Sequence, residues 1–241
     1  MKTNNKLIAA LIGALAFSNI ANADDKPWYV GISANQADLD TVETVSTEQV
    51  ADVSRTIGFD SDDETGFGVT IGRNVFTQSN GNKLSVELSY ATSDHDVEEL
   101  RFQSNPFLAS AGAAEGSSEV ETILARVKYE FNVGKFKPYL GLGIGQSDLD
   151  VDIRYGGSVG SAPTTQPPFA TGGDSATALE LRAGFEYRLT EVIGLFAEYT
   201  TTDVDDIEFS RTGGGPGGLA TTTQSGDFDV ESINVGINFH F

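Results

Sequence analysis

Eight segments of this 241-residue chain place apolar residues at every second position, with small or polar residues between them. They are Trp28–Ala34, Phe67–Ile71, Leu84–Tyr90, Ile123–Val133, Leu140–Ile144, Leu179–Leu189, Leu195–Tyr199 and Ile233–Phe241. A period of two is the signature of a strand with two unlike faces. No run of eighteen apolar residues exists, so a helical membrane span is not expected. Any reading of the chain must therefore put two-faced strands to use.

The connections alternate in length. Short polar turns fall at 77–82, 132–137 and 190–194. Long connections fall at 38–64, 94–119, 148–174 and 203–229. Loops of that length are unusual in a compact soluble domain. Alternating short and long connections suit an up-and-down barrel with short periplasmic turns and long outer loops. Two stretches, 156–174 and 212–226, are rich in Gly, Pro, Thr and Ser and read as mobile loops.

The second face of these strands carries Glu87, Arg126, Lys128, Glu130, Glu180, Arg182, Glu186, Arg188 and Glu198. An eight-stranded barrel has an interior just wide enough for side chains to fill. Charges turned inward can pair there, and the apolar face then meets lipid with no strand edge left open. The expected fold is all-β, an eight-stranded antiparallel up-and-down transmembrane β-barrel. Trp28, Phe76, Phe131, Tyr139, Phe239 and Phe241 fall near the periplasmic strand ends, where an aromatic girdle belongs. The competing reading is a secreted soluble barrel with an apolar ligand cavity. It would put the apolar set in the lumen and the charges outside.

The N-terminus fits export. Lys2 and Lys6 precede an apolar stretch from Leu7 to Phe17, and Ala21-Asn22-Ala23 has the small-x-small form of a cleavage site. Residues 1–23 thus read as a signal peptide cut after Ala23, with Ala21 and Ala23 as its recognition positions. The barrel domain is expected over 24–241. There is no Cys, which removes disulfides, a thiol nucleophile and a thiolate zinc site. With only His95 and His240 besides, no cofactor or metal centre is expected. The formal net charge of -20 argues against a nucleic-acid partner, since phosphate neutralisation needs clustered bases.

The chain ends Asn234-Val235-Gly236-Ile237-Asn238-Phe239-His240-Phe241. This resembles the C-terminal targeting signal of bacterial outer-membrane proteins: a polar residue, then Gly, then two aromatics at alternate positions, here Asn234, Gly236, Phe239 and Phe241. Pro138–Gly145 and Phe196–Tyr199 also resemble segments of small OmpA/OmpX-type barrels. The resemblance implies a terminal strand read by the barrel-assembly machinery, a location in the outer membrane among lipid and lipopolysaccharide, and a lumen plugged by charged side chains. The periplasmic peptidoglycan-binding domain of OmpA has no counterpart in this chain, so that function is not carried over.

The acids are unevenly placed. The four long connections hold 25 acids and 4 bases, and they account for nearly all the negative charge. The bases Arg73, Lys83, Lys128, Lys135, Lys137 and Arg188 lie toward the other end. An acidic rim resists aggregation, and it also suits association with divalent cations that bridge to lipopolysaccharide phosphates. Inside, Glu87, Arg126, Lys128, Glu186, Arg188 and Glu198 are expected to form a charge network. The expected role is non-enzymatic: a structural, surface-exposed protein serving envelope integrity or adhesion. The alternatives are a narrow channel and a rim enzyme, proteolytic or lipid A-modifying. The enzyme reading would use His95 between Asp94 and Asp96, with Asp203, Asp205 and Asp206 on another loop. Ser93 lies near His95 in sequence but is expected to point away from it.

Overall fold

The computed structural model describes residues 26–39, 42–46, 55–61, 64–103, 112–155, 170–215 and 218–241. The predicted signal peptide, with Ala21 and Ala23, lies outside them. The described residues contain no helix. They form ten strands: β1 (Trp28–Leu39), β2 (Val42–Ser46), β3 (Arg55–Ser61), β4 (Glu64–Thr77), β5 (Lys83–Gln103), β6 (Gly112–Glu130), β7 (Phe136–Tyr155), β8 (Ala170–Arg188), β9 (Ile193–Gly215) and β10 (Gly218–His240).

These ten strands make an eight-stranded wall. Around its lower part the order is β1-β4-β5-β6-β7-β8-β9-β10, and β10 returns to β1 in register, from Tyr29 opposite His240 to Leu39 opposite Val230. Above Leu39 and Glu64, the β2–β3 hairpin takes over from β1 and β4. β2 pairs with β10 and β3 pairs with β5, so the circle stays closed. Every pairing is antiparallel.

The short turns lie where the sequence puts them. Gly81, at φ 85, closes the β4–β5 turn, with its amide donating to Gln78 O. The upper end departs from expectation. Among the described residues the four long connections are strand rather than loop, and the stretch 156–169, read as mobile, lies outside them. β5, β6, β7, β8, β9 and β10 run on well past the apolar rows, and 212–215 pairs with 218–221 as a hairpin instead of a mobile loop. Gly is a weak strand former alone, yet the backbone groups of Gly213, Gly214 and Gly215 pair here because the neighbouring strand already presents a template.

The apolar face is outside. Leu142 is 64% exposed, Ile144 58%, Leu181 56% and Val235 54%. On β7 the outward row Phe136, Leu140, Leu142 and Ile144 spans roughly 20–25 Å of height for a strand tilted by about 40°. Among the girdle residues, Phe76, Phe131 and Phe239 are exposed as expected. Tyr139 is not: it is only 4% exposed and points into the lumen. Its odd position on β7 shares the inward row with Gly141 and Gly143, and strand parity overrides its aromatic character.

Above this belt the two faces exchange character. On β7, Asp148, Asp150 and Asp152 follow Ile144 on the outside, while Leu149 and Val151 follow Gly145 on the inside and are buried. The same exchange occurs on β6, where Glu119 lies outside and Val120 is buried, and on β9, where Asp203 lies outside and Val204 is buried. The projecting part of the wall is thus built like a soluble barrel, apolar within and acidic without.

Candidate functional site

Within the membrane belt, the lumen is filled by ionic and aromatic side chains in three tiers. In the middle tier Glu87, from β5, accepts hydrogen bonds from the Tyr29 hydroxyl and from Arg182 of β8. Lys128 Nζ lies 3.0 Å from Glu87 Oε1 and 4.1 Å from the centre of the Tyr29 ring. Arg182 Nη1 also reaches Glu198 Oε2 at 3.3 Å, and the Tyr139 hydroxyl donates to the same oxygen at 2.9 Å. One step higher, Arg126 pairs with Glu180. In the lowest tier Glu186 accepts from Asn238 Nδ2 at 2.7 Å, meets His240 Nε2 at 2.9 Å and pairs with Arg188. Arg188 also lies 3.9 Å from Glu130.

These groups hold one another in place. A carboxylate buried alone is costly, and several donors on each oxygen pair offset that cost. Space for the long side chains comes from glycine. A Cβ on Gly72 would strike the Tyr29 ring, one on Gly141 would strike Arg182, and one on Gly194 would strike Glu186.

All six predicted network residues point inward, and all but Arg188 are at least nine-tenths buried. They do not form one cluster. Glu87, Lys128 and Glu198 share the middle tier, Arg126 stands above it, and Glu186 and Arg188 lie below. Arg182 joins Glu87 to Glu198 and was left out of the predicted set, as were Glu180, Tyr29 and Tyr139. Arg182 and Glu180 lie on the inward row of the sequence, so parity alone marks them. The two tyrosines also fall on the inward parity, beside Gly31 and Gly141, but Tyr139 reads as a girdle aromatic by its residue type.

Above the charges, Leu39, Val120, Leu149, Val151, Val204 and Phe228 are buried on inward positions and form a second, apolar layer. Between the two layers sits a polar chamber of about 50 Å³, lined in part by Asn35, Ser93, Thr200, Arg126 and Glu180. Its size and polarity admit water.

The described residues of the rim-enzyme reading fall on opposite faces of the wall. His95 is fully buried on the inner face, while Asp94, Asp96, Asp203 and Asp205 lie exposed on the outer face. Asp206 carries a side chain outside the described residues. Ser93, expected to point away from His95, instead meets it: Ser93 Oγ is 2.9 Å from His95 Nε2. Residues two apart on a strand share a face, which is the reason for the difference.

Outside the belt, the acids crowd one another across strands, with Glu121 opposite Asp148 and Glu119 opposite Asp150 and Asp94. Partial burial, then the neighbouring Asp94, Glu121 and Asp150, push the Glu119 carboxyl above the usual range. Partial burial also raises Asp148, helped by Glu121 and Asp174 and opposed by a hydrogen bond with Ser175. Among the described residues no group of three or more His, Asp or Glu is arranged to hold a metal ion.

The family described as outer membrane protein beta-barrel domain matches residues 7–241. The chain belongs to this family. This outer-membrane barrel is similar in structure to the outer membrane protein OprG from Pseudomonas aeruginosa, with a TM-score of 0.57 at 17% identity over 89% of this chain and 96% of that one. It is also similar to the outer membrane protease OmpT from Escherichia coli, with a TM-score of 0.56 at 6% identity over 93% of this chain and 99% of that one. At such identities the likeness is one of fold. No curated protein matches the sequence.

Proposed function

We propose that this outer-membrane barrel is a non-enzymatic, non-conducting protein of the cell surface, serving the mechanical integrity of the envelope or adhesion through its acidic projecting wall. The observation that carries the reading is the pair of layers, one ionic and one apolar, that line the lumen. Five carboxylates (Glu87, Glu130, Glu180, Glu186 and Glu198) interlock with Arg126, Lys128, Arg182 and Arg188, and the apolar collar around Leu149 and Phe228 lies above them. An ion crossing this path would have to break buried pairs and then cross a dry constriction. The inward burial of His95, away from the acids outside, supports a non-catalytic role.

The partners follow from the same surfaces. The exposed apolar belt meets lipid and lipopolysaccharide. The terminal strand, with Asn234, Gly236, Phe239 and Phe241, is offered to the barrel-assembly machinery. The outer acids attract divalent cations as a diffuse layer rather than at a built site. An N-terminal signal peptide delivers the chain for assembly.

Single-channel recording of the refolded protein in planar bilayers tests the central claim. The expected result is no steady current in the unmodified protein. Sustained porin-like conductance would overturn the reading in favour of a channel.

A further inference from the structure

At the end of the short turns, the lumen opens into a concavity of about 430 Å³ lined by Lys83, Lys135, Lys137 and Arg188, with Glu130 and Glu191. Four cations face two carboxylates there, in a chain whose acids outnumber its bases 35 to 15. Arg188 is already committed to Glu186 and Glu130. Among the described residues, no carboxylate lies within ion-pairing distance of Lys83, Lys135 or Lys137, although Lys83 stands directly opposite Glu130 in the β5–β6 register. Lys137 donates only to the neutral amide oxygen of Asn132. Three ammonium groups gathered with no carboxylate in ion-pairing contact repel one another more than Glu130 and Glu191 offset, and a bound anion relieves that repulsion.

The lining fixes which anion and from where. Lys83, Lys137 and Arg188 continue the inward rows of Glu87, Tyr139 and Glu186, so the cup opens along the barrel axis to the aqueous periplasm and not sideways to lipid. Arg188 is already engaged by Glu186 through its Nε, and the three lysines suit a compact, multiply charged group as point charges. Thr190 also lines the cup. Its Oγ1 accepts from the amides of Val192 and Ile193 at 3.1 and 2.9 Å, which leaves its hydrogen to donate.

We propose that this periplasmic cup binds the dianionic phosphate group of a soluble phosphate-bearing molecule. Lys83, Lys135 and Lys137 supply the charge, and Thr190 supplies a neutral donor. The site lies beneath the plug and does not depend on whether the lumen conducts.

The test is calorimetric titration of the full barrel, in zwitterionic detergent at constant ionic strength, with pyrophosphate as the probe. Saturable binding is expected. The combined substitution Lys83→Gln, Lys135→Gln and Lys137→Gln should weaken it at least tenfold, while Lys26→Gln, outside the cup, leaves it unchanged. Heat-modifiable gel mobility checks that each variant is folded, and Lys135→Gln alone, in an exposed turn, keeps the test open if the triple variant does not fold. Binding that is absent, that survives the triple substitution, or that falls equally with Lys26→Gln would overturn the proposal. Displacement of pyrophosphate by added phosphatidylglycerol would overturn the assignment to a soluble ligand.

Discussion

Arg182 on β8 reaches across the lumen to Glu87 on β5, 95 positions away in sequence, and both side chains are almost completely buried. No local preference in either strand brings them together. The closure of the wall does so, and the pair in turn holds opposite sides of the barrel at a fixed separation. Removing one member leaves the other buried without its main partner, which typically costs about 3–5 kcal/mol. Arg182→Met should therefore lower the urea midpoint of the detergent-folded barrel markedly. Adding Glu198→Gln should recover part of that loss, because among the described residues Arg182 is the cation paired with Glu198, whereas Glu87 keeps Lys128. Equal midpoints for Arg182→Met and the unmodified protein would contradict the role given to this pair.

Tyr139 provides a smaller and cleaner probe. Its hydroxyl donates to Glu198 while Arg182 still serves the same oxygen. Tyr139→Phe keeps the ring beneath Arg182 and removes one hydrogen bond to a charged group, at a cost of about 1.5–3 kcal/mol. A change on lipid composition alone, with no loss of stability, would place the ring outside as the sequence suggests.

The glycine rows test steric fit without touching charge. Gly141→Val puts a branched side chain where Arg182 now lies. Slower refolding and a broadened unfolding transition are expected, while Gly134→Val, whose Cβ would meet nothing within 4 Å, tests only the strained turn at φ 64. If the two variants refold alike, close packing at the plug is not what limits this position.

The outer acids predict a pH dependence with a definite sign. Glu119 and Asp148 have raised folded-state values, so the folded wall binds protons more tightly than the unfolded chain. Their contribution favours folding as pH falls through the carboxylate range and is lost once the pH exceeds the raised values. Glu119→Gln should stabilise the fold slightly at neutral pH, by about a few tenths of a kcal/mol at most given its exposure, and so raise the thermal midpoint a little. The difference should shrink in high salt and vanish in acid. A variant less stable than the parent at neutral pH would mean that Glu119 has a favourable partner.

The terminal strand predicts an assembly defect. Phe241 exchanges backbone hydrogen bonds with Trp28 at 2.9 and 3.1 Å, and Phe239 is exposed on the lipid side. Changing both to Ser should reduce heat-modifiable protein in the outer membrane far more than Ser substitutions at 213–215, at the tip of the β9–β10 hairpin. Equal assembly of the two would remove the assembly role from Phe239 and Phe241.

What the sequence determined by itself is the wall and its two faces. A side-chain period of two is local and forces Leu140, Leu142 and Ile144 onto one face and Gly141 and Gly143 onto the other. The short turns were legible for the same reason, since their polar residues and Gly81 act within a few positions. The upper wall was not legible. The glycines at 213–215 have no strand preference of their own and pair only because β9 and β10 already run side by side. The partners inside the plug were not legible either. Parity marks Arg126, Arg182, Glu180 and Glu198 as inward, but which carboxylate each guanidinium meets depends on the height and tilt of strands several positions around the circle. That geometry exists only once β10 has closed on β1, because only a closed barrel brings the inner faces of distant strands within reach of one another.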